Sequence, residues 1–422
     1  MQRILSSQLP EHLGQRVTIA GWVHRRRLLK SVAFLILRDR SGLAQVVVSS
    51  PSLRASVEAL TEESVVEVAG TVAARPDGVE IVEPELRVLS EASPPPFDLY
   101  RPGLTASLPT LLDHAAVALR HPLRQTAFRL SAAAVGGFRS TLDQSGFVEV
   151  HTPKIVASAT ESGANVFAID YFGRPAYLAQ SPQFYKQTLV GVFERVYEVG
   201  PVFRAEPHDT VRHLAQYTSL DVELGFIRDH RDVMAVLRDT LSGMLDAVGR
   251  CPAAATLGLA MPAIPAEIPA IDFADALALV GASPDEPDLA PAHERALGEW
   301  ALREHGSDFL FVTGYPMAKR PFYTHPDPAR PTASNGFDLL FRGIELVTGG
   351  QRLHRYPDYV AALAARGEST EAYESYLDAF RHGLPPHGGF AIGLERFVMR
   401  LLEATNVREV TLFPRDLHRL TP

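Results

Sequence analysis

A proline run, Ser93-Pro94-Pro95-Pro96, divides the chain into two stretches of different pattern. Proline lacks a backbone N–H and fixes φ, so the run continues neither a helix nor a sheet ladder and reads as a stiff linker. Before it, residues 17–22, 33–37, 43–48, 64–72 and 79–89 are rich in β-branched side chains and bounded by Gly, Pro, Asp or Ser, which marks short strands. The turn Asp39-Arg40-Ser41-Gly42 closes a hairpin, with Gly42 free to take positive φ. Five strands in the first 97 residues predict a small closed barrel of the oligonucleotide/oligosaccharide-binding (OB) type.

After His121 the pattern changes. Residues 124–144 predict an amphipathic helix ending near Gly146. Residues 176–178, 196–199, 220–226 and 337–346 predict strands, and 371–382 and 394–402 predict helices. Without strict βαβ alternation, the expectation is an antiparallel α+β domain rather than a Rossmann sheet. Neither phosphate-cradling glycine motif, G-x-G-x-x-G or G-x-x-x-x-G-K-S/T, is present. The expected organisation is an OB-fold domain at 1–97, a linker or hinge at 98–122, and an α+β domain at 123–422. An Ala/Pro-rich helical connector is expected at about 251–300.

The 422 residues carry a formal charge of −8, which argues against non-specific coating of nucleic acid. Between His24 and Arg40, however, six basic residues (Arg25, Arg26, Arg27, Lys30, Arg38, Arg40) face one acid, Asp39. This local excess reads as a phosphate-binding patch or as a solvated strand face. The lone Cys251 supports neither a disulfide nor a zinc site. No apolar run reaches the ~18 residues of a membrane span, and residues 1–15 lack a signal core. A cytoplasmic protein without a membrane partner is expected.

Three separated strings carry the chemistry. Gly146-Phe147-Val148-Glu149-Val150-His151-Thr152-Pro153 follows the long helix, Phe203-Arg204-Ala205-Glu206 follows a strand, and Gly393-Leu394-Glu395-Arg396 opens a helix. In that order they resemble motifs 1, 2 and 3 of the class II aminoacyl-tRNA synthetases, and the resemblance extends over essentially the whole chain. Gln180-Ser181-Pro182-Gln183-Phe184-Tyr185-Lys186 and Gly349-Gly350-Gln351-Arg352 resemble the aspartyl branch, in its compact archaeal type. The resemblance implies ATP and Mg²⁺ chemistry on L-aspartate and tRNA. Alternatives are an asparaginyl enzyme, a strictly discriminating aspartyl enzyme, an amidating paralogue resembling an archaeal asparagine synthetase (disfavoured by the barrel), and a non-catalytic RNA-binding paralogue.

Carboxylate attack on the α-phosphate of ATP requires two anions held together while pyrophosphate leaves, a task suited to the planar, permanently charged arginine fork. The resemblance implies that Arg204 holds the α-phosphate and the reacting carboxylate, and that Arg396 lies across the nucleotide. It implies Glu206 on the adenine amino group, Tyr217 stacked on the base and His213 near the phosphates. Arg212, Leu214, Glu345, Gly393, Leu394 and Glu395 complete the expected ATP set. In Gly389-Phe390-Ala391-Ile392-Gly393, alanine stands where the family commonly has a third glycine, which should narrow the adenine slot. Asp338, Glu345 and Thr348 are the expected Mg²⁺ ligands. Their spacing puts the two acids on opposite faces of a regular strand unless a bulge at Arg342-Gly343 intervenes. For aspartate, the resemblance implies Lys186 and Arg352 on the side-chain carboxylate, with Asp221 and Glu161 on the ammonium. Gln183 takes the α-carboxylate side, and Arg204 and Thr348 complete the set.

The family pattern also places Phe34 and Gln45 on the middle anticodon base. At the positions flanking the third base, this chain carries His24 and Pro84 where discriminating enzymes have Trp and Lys. Proline has no side-chain donor and histidine can donate or accept, so neither pyrimidine is clearly excluded. The expectation is a non-discriminating enzyme charging both tRNA(Asp) and tRNA(Asn), functionally coupled to a tRNA-dependent amidotransferase. Motif 1 further implies a homodimer.

Overall fold

The computed structural model describes residues 3–101, 103–157 and 165–421. They form two compact units, Met1–Leu123 and Arg124–Pro422.

In the first unit, β1 (Arg16–Leu28), β2 (Ala33–Arg38), β3 (Leu43–Val48), β4 (Val65–Arg75) and β5 (Gly78–Ser90) close a barrel in the order β1-β2-β3-β5-β4. Helix α1 (Pro51–Ala59) lies between β3 and β4 in the chain. Strand alternation fills the interior: Ala33, Leu35 and Leu37 are fully buried, whereas Phe34 and Ile36 stand half-buried on the outer face. The expected five-stranded barrel is therefore present. Residues 98–122 contain helices α2 (Leu108–Asp113) and α3 (Ala115–Ala118).

Helix α4 (Pro122–Gln144) leads into the second unit. It is followed by β6 (Val148–Glu149), β7 (Ile155–Val156), β8 (Ala168–Tyr171), β9 (Arg174–Leu178), α5 (Gln183–Phe193), β10 (Arg195–Phe203) and β11 (Gln216–Gly225). Then come α6 (His230–Gly249), α7 (Pro252–Leu257), β12 (Ala270–Asp272), α8 (Phe273–Leu279), α9 (Pro291–His305), β13 (Phe309–Thr313), β14 (Gly336–Phe341) and β15 (Ile344–Gln351). Helices α10 (Tyr356–Ala365) and α11 (Glu374–Arg381), strand β16 (His387–Gly393) and helix α12 (Leu394–Leu401) complete the unit. Eight strands form one sheet in the order β12-β13-β14-β15-β16-β11-β10-β6, antiparallel except at its two ends. This is the expected α+β architecture.

The apolar stripes of α4 (Leu130, Phe138) and α6 (Leu237, Leu241, Met244) bury fully in one core with Val222, Phe390 and Ile392 of the sheet. Each such side chain contributes about 1.5–3 kcal/mol. The two helices touch at glycines: a Cβ on Gly243 would lie 1.9 Å from Thr141 Oγ1.

Two expectations need correction. Residues 337–346 are not one strand but β14 and β15, joined by a two-residue turn in which Arg342 (φ 48°) and Gly343 (φ 73°) are both left-handed. Such a turn matches the twist of the strands it connects. The connector expected as helical also contributes β12, which pairs parallel to β13.

Candidate functional site

Strand periodicity assembles the site. Tyr217, Ser219, Asp221 and Glu223 alternate along β11, so their side chains share one face. On the neighbouring strand, Gly393, Ala391 and Gly389 stand opposite Ser219, Asp221 and Glu223. The small residues keep that face open. At Gly389 any side chain forces a shift, because a Cβ there would lie 2.1 Å from both Glu223 Oε2 and the Val222 carbonyl oxygen.

At one end of the row lies a cleft of about 320 Å³, lined by Arg204, Glu206, Arg212, His213, Leu214 and Tyr217 together with Glu345, Thr348, Gly393, Glu395 and Arg396. The Arg204 guanidinium lies 5.8 Å from the Tyr217 ring centroid. Arg396 Nη1 donates to the Glu345 carbonyl at 2.7 Å. Burial, reinforced by Arg396 and Arg212, pushes the His213 imidazole down to about 4, so it is neutral at pH 7. Glu395 accepts from the Thr218 N–H through both oxygens, at 3.1 and 3.0 Å, and burial raises its carboxyl above the ordinary range. Leu394 departs from expectation. It belongs to the apolar stripe of α12 with Phe397, Val398 and Leu401, and its side chain packs in the core rather than lining the cleft. His208, Ser219, Leu346, Ala391 and Val407 also line the cleft, without having been singled out as contacts.

At the other end, a charged nest is buried. Lys186 Nζ, on α5, lies 3.1 Å from Asp221 Oδ1 and 3.3 Å from Glu223 Oε2. Arg352 Nε lies 3.0 Å from Glu223 Oε1, and its Nη2 donates to the Gly389 carbonyl at 3.1 Å and to Gln183 Oε1 at 3.4 Å. The five polar side chains, of Gln183, Lys186, Asp221, Glu223 and Arg352, are all buried. Burial pushes the Glu223 carboxyl up, but Arg352 and Lys186 outweigh it and hold the group below its usual range. Glu223 was not among the expected ligands, although its two-residue spacing from Asp221 would have revealed it. Glu161 lies outside the described residues.

The acid pair comes together by a different route from the one expected. Asp338 stands opposite Thr348 across β14 and β15. The register slips between Leu339–Val347 and Leu340–Glu345, which makes Leu346 the extra residue of a bulge. The bulge, not the Arg342-Gly343 turn, brings Glu345 round to Thr348, whose hydroxyl donates to Glu345 Oε1 at 3.2 Å. Burial raises the Asp338 carboxyl to about 6 although Arg320 opposes it, and the Glu345 charge adds to the rise. For Glu345, Arg396 and Arg320 outweigh burial and leave it below its ordinary range. Among the described residues, no group of three or more His, Cys, Asp or Glu could hold a metal by itself. The hard carboxylate oxygens of Asp338 and Glu345 fit Mg²⁺ by their donor chemistry.

On the barrel, Phe34 pairs with Val47 and Gln45 with Ile36, so Phe34 and Gln45 lie diagonally on the same outer face. Arg27 sits 5.9 Å from the Phe34 ring centroid, and Gln45 Nε2 donates to Glu80 Oε2 at 2.7 Å. His24 is engaged within the unit, 3.2 Å from Arg38 Nη1 and edge-on to Tyr100. Burial and Arg38 lower its pKa. Pro84 follows Glu83 (φ 51°) where the β4–β5 register shifts, a bulge position that tolerates proline.

Residues 17–89 match the OB-fold nucleic acid binding domain, and residues 107–417 match tRNA synthetases class II (D, K and N). The chain belongs to the class II aminoacyl-tRNA synthetases of this group. It is 46% identical over 431 residues to a Thermus thermophilus protein named Aspartate–tRNA(Asp/Asn) ligase, covering 100% of both chains. A Deinococcus radiodurans protein of the same name is also 46% identical, over 100% of this chain and 99% of its own. Among solved structures, asparaginyl-tRNA synthetase from Pyrococcus horikoshii complexed with asparaginyl-adenylate superposes with a TM-score of 0.93 at 30% identity, covering 100% of both chains.

Proposed function

We propose that the chain is an aspartate–tRNA ligase that activates L-aspartate with ATP and transfers it to tRNA(Asp) and to tRNA(Asn). The observation that carries this reading is the buried Lys186–Asp221–Glu223–Arg352 nest beside an arginine-lined cleft. The α-carboxylate of aspartate attacks the α-phosphorus of ATP, and the bond to the pyrophosphate oxygen breaks. No protein nucleophile is needed, so rate comes from positioning and charge. Arg204 holds the α-phosphate and the attacking carboxylate. Arg396, Arg212 and neutral His213 hold the outer phosphates, while Glu206 and Tyr217 take the adenine. Asp338, Glu345 and Thr348 would hold Mg²⁺, which when bound would neutralise phosphate charge.

Lys186 and Arg352 grip the side-chain carboxylate, and Asp221 receives the ammonium. Asparagine would leave both cations facing a neutral amide, a mismatch that a polar site rejects by ~10⁴ or more. The likeness to an asparaginyl enzyme favours a second reading, asparagine activation. Pyrophosphate exchange with each free amino acid decides: exchange with aspartate supports the first reading, and exchange with asparagine alone overturns it.

Residues 1–97 act as the anticodon-binding domain, with Phe34 and Gln45 on the uracil common to both tRNAs. His24 is held by Arg38 and Tyr100, and Pro84 offers no donor, so the third base is left without a discriminating partner. Asp-tRNA(Asn) then passes to a separate amidotransferase. Charging of an asparagine tRNA transcript more than about a hundredfold below the aspartate tRNA, ~2.7 kcal/mol, would refute dual use. The active form is a homodimer in the cytoplasm. No helix among the described residues is long and apolar enough to cross a membrane.

A further inference from the structure

Helix α9 carries a carboxylate that reaches the phosphate end of the cleft. Glu294 is 3% exposed. Its two oxygens accept from Arg212 Nη1 at 3.2 and 3.0 Å, and Oε2 also accepts from the Glu345 backbone N–H at 3.0 Å. One buried acid thereby ties a cleft arginine to the backbone of Glu345 at the start of β15. Arg396 grips the same residue from the other side, through the Glu345 carbonyl.

The helix is delivered there by a backbone contact that leaves no space for side chains. A Cβ on Gly298 would meet Gly343 N at 2.5 Å, and a Cβ on Gly343 would meet the Arg295 Cα at 3.0 Å. The α9 backbone thus rests on the β14–β15 turn, and Glu294, one helical turn before Gly298, is held at a set depth. A buried carboxylate with three such contacts is a rigid anchor, because leaving any partner exposes an uncompensated charge. Glu294 uses only Nη1 of Arg212. The Nη2 and Nε donors of that fork remain for a phosphate, to which they match bidentately.

We propose that Glu294 is a positioning residue for ATP, orienting Arg212 and the Glu345 strand start together so that the phosphate end of the cleft is preformed. The inference rests on the aspartate-ligase reading. It places one determinant of nucleotide affinity in the connector between the second and third motifs, outside every string that carries the family resemblance.

The test is aspartate-dependent ATP–pyrophosphate exchange by Glu294→Gln, alone and in an Arg212→Met background, with KM measured for ATP and for aspartate. Loss of a charge-assisted contact should raise the KM for ATP about tenfold or more. The KM for aspartate should stay within twofold, and the Glu294→Gln effect should fall below twofold once Arg212 is gone. A purely structural role would move both KM values together, or act equally in both backgrounds. Either result, or an unchanged KM for ATP, overturns the proposal. If Glu294→Gln does not fold, Glu294→Asp, which keeps the charge but retracts it by one methylene, is judged by the same criteria. Absence of exchange in the parent enzyme would instead refute the ligase reading.

Discussion

Replacing Lys186 with methionine keeps most of the side-chain volume and removes one charge from the buried nest. Lys186 is 2% exposed and contacts two carboxylates, Asp221 and Glu223, that are themselves 2% and 0% exposed. Removing one partner of such a buried cluster costs about 3–5 kcal/mol, because the remaining charges cannot reach water. Expressed in activation of aspartate, that is a loss of roughly 10²–10⁴-fold. The preference for aspartate over asparagine should fall with it, since the variant no longer opposes a neutral amide with a buried ammonium.

Stability carries a second signature of the same substitution. The Glu223 carboxyl is held below its unfolded range, so it stabilises the fold at neutral pH, and that contribution is lost as pH falls through its folded value. Part of it depends on Lys186. The melting deficit of Lys186→Met should therefore be full at pH 7 and shrink in acid, where the carboxylates protonate in both proteins. The assays are pyrophosphate exchange with each amino acid and thermal melts across pH. Aspartate activation within tenfold of the parent, or an unaltered ratio of aspartate to asparagine, would show that Lys186 does not read the side-chain carboxylate.

Gly389→Ala should cost about 1–3 kcal/mol of stability and at least a hundredfold in aspartate activation, because the new methyl displaces Glu223; normal exchange would contradict the packing argument. His387 is fully buried, and burial pushes its imidazole down to about 4, so the unfolded chain binds its proton first as pH falls from 6.5. Up to about 3 kcal/mol of stability should disappear between pH 6.5 and 4, and His387→Gln should flatten that segment of the melting profile. Sedimentation at micromolar concentration should give a homodimer, and a monomer would refute the motif 1 assignment.

The sequence by itself determined the elements whose signals are local. Five strands broken by turn residues and ended by Ser93-Pro94-Pro95-Pro96 specify a barrel. Which face of residues 33–37 turns inward was not legible, since all five are apolar; closure of the barrel buries Ala33, Leu35 and Leu37 and leaves Phe34 and Ile36 half-buried outside. The two-residue spacing of Asp221 and Glu223 was equally readable, because that period depends only on the strand's own geometry, but the strand expected at 220–226 begins at Gln216, and that extension puts Tyr217 and Ser219 in the same row. Chain-distant relations were decided by the tertiary structure. Residues 337–346 look like one apolar strand, and only pairing across Arg342-Gly343 divides them. The union of Asp338 with Glu345 depends on a bulge at Leu346 that exists only when β14 and β15 are in register. Leu394 follows a catalytic-looking glycine, yet its place on α12 turns it into the core. Glu294 meets Arg212 across 82 positions of sequence. No local pattern encodes that meeting, because it arises where a helix backbone rests on a turn against two glycines, and such a contact is a property of packing rather than of either segment alone.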